Sequence, residues 1–91
     1  MRPERHAIEW ASPAKRALGR LPEKVATAAI EFIYGPLAEN PSRMGRALRF
    51  ELTGLHSAHR GDFRILYRIR EETQTVYVEV IAHRADVYRR S

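Results

Sequence analysis

Phe63-Arg-Ile-Leu-Tyr-Arg-Ile-Arg70 alternates without a break, with Phe63, Ile65, Tyr67 and Ile69 on one side and Arg64, Leu66, Arg68 and Arg70 on the other. A period of two is that of a strand with one face on a core and one toward solvent. Gly61-Asp62 just before it is a turn dipeptide, and Leu55–Arg60 before that is a candidate strand, so the stretch reads as a hairpin. Downstream, Glu71-Glu-Thr-Gln74 supplies a turn and Val76–His83 a further strand. On strict alternation Val76, Val78, Val80 and Ala82 face one way, and Tyr77, Glu79, Ile81 and His83 the other.

Opposed residues of an antiparallel pair share a face, so apolar must meet apolar. A tight turn centred on Thr73-Gln74 sets Arg70 opposite Tyr77, Arg68 opposite Glu79 and Arg64 opposite His83. The sheet is then expected to have one helix-covered face and one open, Arg-rich face where Arg64 and His83 meet. An extra residue or bulge would move this register.

The first half reads as helical. His6–Trp10 alternates weakly and suggests a short first strand. Ser12-Pro13 resembles an N-cap followed by proline at the first helical position, and Pro22 opens a second helix in the same way. Val25, Ala28, Ala29, Phe32 and Ile33 recur at helical spacing and form one apolar stripe. Gly35-Pro36 is expected to end or kink that helix, and Asn40-Pro41 to end the region. Residues 41–54 have no clear period and read as a partly extended connection carrying Arg43, Arg46 and Arg49. The expected fold class is α+β: a small antiparallel or mixed sheet packed on an N-terminal helix pair, with residues 1–91 as one domain.

The chain contains no Cys, which excludes disulfides, thiolate metal sites and a thiol nucleophile. No apolar run approaches the roughly 20 residues that span a bilayer, and no signal-peptide core follows Met1-Arg-Pro-Glu-Arg-His6. A cytoplasmic protein without membrane partners is the expectation. The net charge is +5, and Lys15 and Lys24 are the only lysines, so the excess is carried by arginine. Its planar fork holds phosphate through two hydrogen bonds and stacks on bases. Nucleic acid, an acidic membrane surface or an acidic protein would each suit such a chain.

RNA can be cut with side chains alone. A base takes the proton of the 2′-hydroxyl, an acid protonates the leaving 5′-oxygen, and cations hold the phosphate. Histidine suits proton transfer and arginine suits the phosphate. On this reading Arg64, with Arg84 or Arg60, holds phosphate, His83 moves a proton, and Tyr88 stacks on a base or donates a hydrogen bond. Arg49 and Arg68 are further candidates for RNA binding. His56 and His59 read as ordinary strand surface. A Gly-rich phosphate loop, Cys/His metal spacing and a Gly-x-Ser-x-Gly elbow are missing, and no cofactor is implied.

Leu21-Pro-Glu-Lys-Val25, Gly35-Pro-Leu37, Leu48-Arg49, Gly54-Leu-His-Ser57, Arg60-Gly-Asp-Phe-Arg-Ile65, Tyr67 and His83-Arg-Ala-Asp-Val-Tyr88 follow one another in an order that resembles the RelE toxins of the RelE/ParE superfamily. The likeness covers nearly the whole chain. It implies a bacterial type II toxin that cuts mRNA in the ribosomal A site, is held inactive by a RelB-like antitoxin, and meets operator DNA only as the toxin–antitoxin complex. Arg64 matches the family's phosphate-binding strand arginine, Arg84 its second arginine, and Tyr88 its base-stacking tyrosine. The best-known RelE enzyme has two lysines on the strand before the Gly61 position. Here that stretch reads Leu55-His-Ser-Ala-His-Arg60, and His83 is the expected substitute. Two alternatives stand beside this reading: a ParE-like inhibitor of DNA gyrase, and a catalytically weak toxin-fold binding protein.

Overall fold

The computed structural model describes residues 5–83. In chain order these are β1 (Ala7–Trp10), α1 (Ser12–Arg20), α2 (Glu23–Phe32), α3 (Pro41–Met44), β2 (Arg46–Ala47), β3 (His56–Arg60), β4 (Phe63–Arg70) and β5 (Thr75–His83). The five strands form one sheet in the order β1-β5-β4-β3-β2. β1 runs parallel to β5, and every other neighbouring pair is antiparallel. The expected α+β class, a mixed sheet under an N-terminal helix pair, is the one observed.

The core lies between the helices and one face of the sheet. Ala14 of α1 and Ala29 and Phe32 of α2 pack in one cluster with Phe63, Ile65, Tyr67, Val76, Val78 and Ile81. The alternation read along β4 is therefore the division between core and solvent: Phe63, Ile65 and Tyr67 are buried and Arg64 is exposed. Gly61 adopts a φ of 51° between Arg60 and Phe63, which stand opposite one another. Glycine takes that left-handed conformation at little cost, which is why it suits a two-residue hairpin.

Local details of the helices differ from expectation. Ser12 is the first residue of α1, and its cap is Ala11. The Ala11 N–H donates to the Val78 carbonyl at 2.9 Å, so the helix starts directly off the sheet without a side-chain cap. Around Gly35-Pro36, where an end or a kink was expected, the regular α-helix stops at Phe32 but the helical turn does not. The helix widens into a π-helical stretch over Ile33–Leu37 that takes in Pro36, whose missing N–H cannot serve a regular α-helical ladder. Residues 41–54, expected as a partly extended connection, contain the two-residue strand β2 and also α3 and a 3₁₀ turn at Phe50–Leu52.

The register of β4 with β5 is the main correction. The turn is a four-residue loop, so Arg70 stands opposite Thr75 and Arg68 opposite Tyr77. Between Leu66 and Tyr67 the register then shifts: Tyr67 opposes Val78, whereas Leu66 opposes Val80. Glu79 is the extra residue of a bulge, and beyond it the two faces of β5 exchange roles. Ile81 opposes Ile65 and is buried, whereas Val80 is 42 % exposed. His83 opposes Phe63, and Arg64 opposes Ala82. The expected Arg64–His83 pair does not form.

Candidate RNA-binding groove

Face membership follows from the pairings. Ser57 and His59 of β3 oppose Leu66 and Arg64 of β4, and Arg46 of β2 opposes Ser57. All five therefore lie on the face away from the helices. Arg46, Ser57 and Leu66 form one row across the sheet, and His59, Arg64 and Ala82 form the next. Rows on one face are about 7 Å apart, and directly opposed Cα atoms about 4.5–5.5 Å. Met44, Gly45, Arg46, Ser57, His59 and Arg64 line a groove of about 400 Å³.

A close backbone approach builds the groove's wall. The Tyr67 hydroxyl donates to the Pro41 carbonyl at 2.8 Å and fixes α3 against the sheet. A β-carbon on Gly45 would lie 2.5 Å from that hydroxyl oxygen and 2.6 Å from the Ser57 carbonyl oxygen. Only glycine lets the chain pass there and enter β2 with Arg46 beside Ser57. Burial pushes the Tyr67 phenol up to about 12, so it stays a neutral donor in the folded protein.

The groove is cationic and open. Among the described residues, Arg46 and Arg64 take part in no ion pair, and both are exposed. Two exposed guanidinium groups can hold a phosphate from two sides. His59, exposed and opposite Arg64, supplies a group that can accept or donate a proton. Ser57 adds a hydroxyl.

The other candidates separate from this cluster. His83 shares the helix side of the sheet with Phe63. Arg60 also turns to that side, with its guanidinium carbon 4.6 Å from the Phe32 ring centroid. Arg68 is on the open face, but its Nε donates to Glu79 at 2.6 Å. The bulge brings Glu79 within reach although Tyr77 is the residue directly opposite. Arg49 lies in the β2–β3 loop. Arg84 and Tyr88 fall outside the described residues. His56, read as surface, stacks on Tyr67 with ring centroids 5.4 Å apart. Two groove residues differ from the expected site: His59, expected as ordinary strand surface, which counting faces from Arg64 through the Gly61-Asp62 turn places beside it, and Arg46, expected only in the connection, whose one local signal is the glycine before it.

A sequence profile for the family described as "ParE toxin of type II toxin-antitoxin system, parDE" matches residues 8–88. The chain is a type II toxin of the RelE/ParE superfamily. It is 44 % identical over 85 residues to Toxin RelG of Mycobacterium tuberculosis, covering 93 % of this chain and 98 % of that one. It is 51 % identical over 76 residues to Toxin RelE of the same organism, covering 84 % and 78 % respectively. The toxin-antitoxin complex RelBE2 from M. tuberculosis contains a chain that superposes on this toxin with a TM-score of 0.86 at 41 % identity, covering 90 % of this chain and 94 % of that one.

Proposed function

We propose that this toxin is a ribosome-dependent endoribonuclease that cuts mRNA in the A site and stops translation. The observation that carries the proposal is the pairing of His59 with Arg64 in an open groove that also holds Arg46. Arg64 and Arg46 grip the scissile phosphate and offset the charge that builds on it. His59 takes the 2′-hydroxyl proton, and the 2′-oxygen attacks phosphorus. The bond to the 5′-oxygen breaks, that oxygen leaves with a proton drawn from water, and a 2′,3′-cyclic phosphate remains. Every group in this scheme is a side chain, so no cofactor is needed.

The resemblance adds Arg84 as a second arginine near the phosphate and Tyr88 as a base-stacking residue. Arg49 extends the cationic track along the RNA. A RelB-like antitoxin holds the toxin inactive, as the RelBE2 likeness suggests. A basic toxin with an exposed active face suits an acidic or amphipathic segment that orders on binding. Operator DNA is met only by the toxin–antitoxin complex, and the toxin acts in the cytoplasm, where ribosomes are.

The test is mRNA cleavage on programmed ribosomes by wild type and Arg64→Ala, with and without the co-expressed antitoxin. Cleavage that Arg64→Ala lowers and antitoxin abolishes supports the reading. Inhibition of gyrase supercoiling with no mRNA cleavage would replace it with the ParE-like one.

A further inference from the structure

Phe50 is the most exposed large apolar side chain among the described residues, at 83 %. Its φ of 61° lies in the left-handed region, which bulky side chains rarely occupy. Folding explains neither property. An exposed ring contributes little to the core, and glycine or asparagine would suit the backbone better. Nor is the loop loose. The Leu48 N–H donates to the Leu55 carbonyl at 2.9 Å, closing its base. The Thr53 backbone N–H and hydroxyl both donate to the Phe50 carbonyl, at 3.0 and 2.7 Å. The ring is held out on a fixed, strained support, the arrangement expected where something outside the molecule takes it.

The surroundings indicate what that is. Arg49 precedes Phe50, and Arg46, at the start of the strand that leads into this loop, lines the groove. Neither arginine is in an ion pair among the described residues. The loop begins about two residues, roughly 7 Å, beyond the Arg46–Ser57 row. A flat aromatic ring beside cations that track a backbone is how proteins hold unpaired nucleotides. An amphipathic protein helix would instead call for an apolar groove into which its own side chains fit.

We propose that Phe50 is a stacking platform for an unpaired RNA base next to the nucleotide held in the groove. This rests on the nuclease reading above. The test uses programmed ribosomes whose mRNA carries a 2′-O-methyl group at the cut nucleotide, so that binding is measured without cleavage. Phe50→Ala and Phe50→Leu are expected to raise the Kd about 5- to 100-fold, the loss of one base–aromatic stack, whereas Phe50→Trp binds as wild type does. Antitoxin affinity is expected to stay unchanged in all three. Phe50→Gly, which relieves the backbone, is expected to melt above wild type while binding RNA as weakly as Phe50→Ala, which separates lost contact from lost fold. Wild-type affinity in Phe50→Ala or Phe50→Leu overturns the proposal, as does a loss confined to antitoxin binding. If wild type cuts mRNA and Phe50→Ala cuts and binds equally well, the platform falls and the nuclease reading stands. If wild type neither binds nor cuts, both fall.

Discussion

Arg64 stands directly opposite His59 on one neighbouring strand and opposite Ala82 on the other. The extra residue Glu79 in β5 sends His83 to the helix side of the sheet, and Arg64 stays on the open side. The histidine directly opposite Arg64 is therefore His59 and not His83. The groove they share also contains Arg46.

Arg46 and Arg64 stand on different strands, so on the proposed reading they would approach the phosphate from two sides and neither would replace the other. Arg64→Ala is expected to lower the single-turnover cleavage rate about 10²–10³-fold, the usual cost of removing a positioned charge-stabilising donor. Arg46→Ala should act in the same direction. A rate unchanged in Arg46→Ala would remove β2 from the site.

Gly45→Ala places a methyl group against the Tyr67 hydroxyl and the Ser57 carbonyl. One of the two must move, and overpacking of this kind costs about 1–3 kcal/mol. Denaturant unfolding should show that loss. Cleavage by the folded fraction should also fall, because Gly45 leads directly into Arg46. Full stability in Gly45→Ala would mean that the close approach does not constrain the site.

Tyr67 gives the fold a pH dependence at the alkaline end. Its phenol is pushed up to about 12 by burial, against 10.0 in the ordinary case. Between these values the unfolded chain loses the proton first, so the folded state binds more protons and stability falls as pH rises. Two pKa units correspond to about 2–3 kcal/mol, present in full below pH 10 and lost as pH rises toward 12. Unfolding measured across that range should show the decline in wild type and a shallower one in Tyr67→Phe. Equal slopes would assign it to other groups.

His56 serves as the control for His59. It stacks on Tyr67, and its Nδ1 is buried without a hydrogen-bond partner among the described residues. An unpaired buried nitrogen is unfavourable, so His56→Phe should keep the stack and be neutral or stabilising. Cleavage should be unchanged. A large loss of activity would show that the two histidines of β3 act together.

The fold was largely legible because β4 alternates cleanly and its turn is marked by glycine. The bulge was not, because apolar residues at Val76, Val78, Val80 and Ala82 continue the same alternation straight through it. One clue was present. Strict alternation put Ile81, a large aliphatic residue, on the open face, where it would be exposed; in the fold it is 4 % exposed. Reading Ile81 as core would have moved His83 with it. The β2 side of the groove was hidden for a different reason: β2 is two residues long, and its placement depends on a close approach of Gly45 to Tyr67 that no local pattern announces.

On the proposed function the open face, not the helix side, carries the chemistry. Single-turnover cleavage of mRNA on programmed ribosomes should be compared for wild type, His59→Ala and His83→Ala, each shown to be folded. His59→Ala is predicted to lose about 10²–10⁴-fold, the range of general base catalysis, while His83→Ala stays within a few-fold of wild type. A full rate in His59→Ala together with a collapsed rate in His83→Ala would contradict the account.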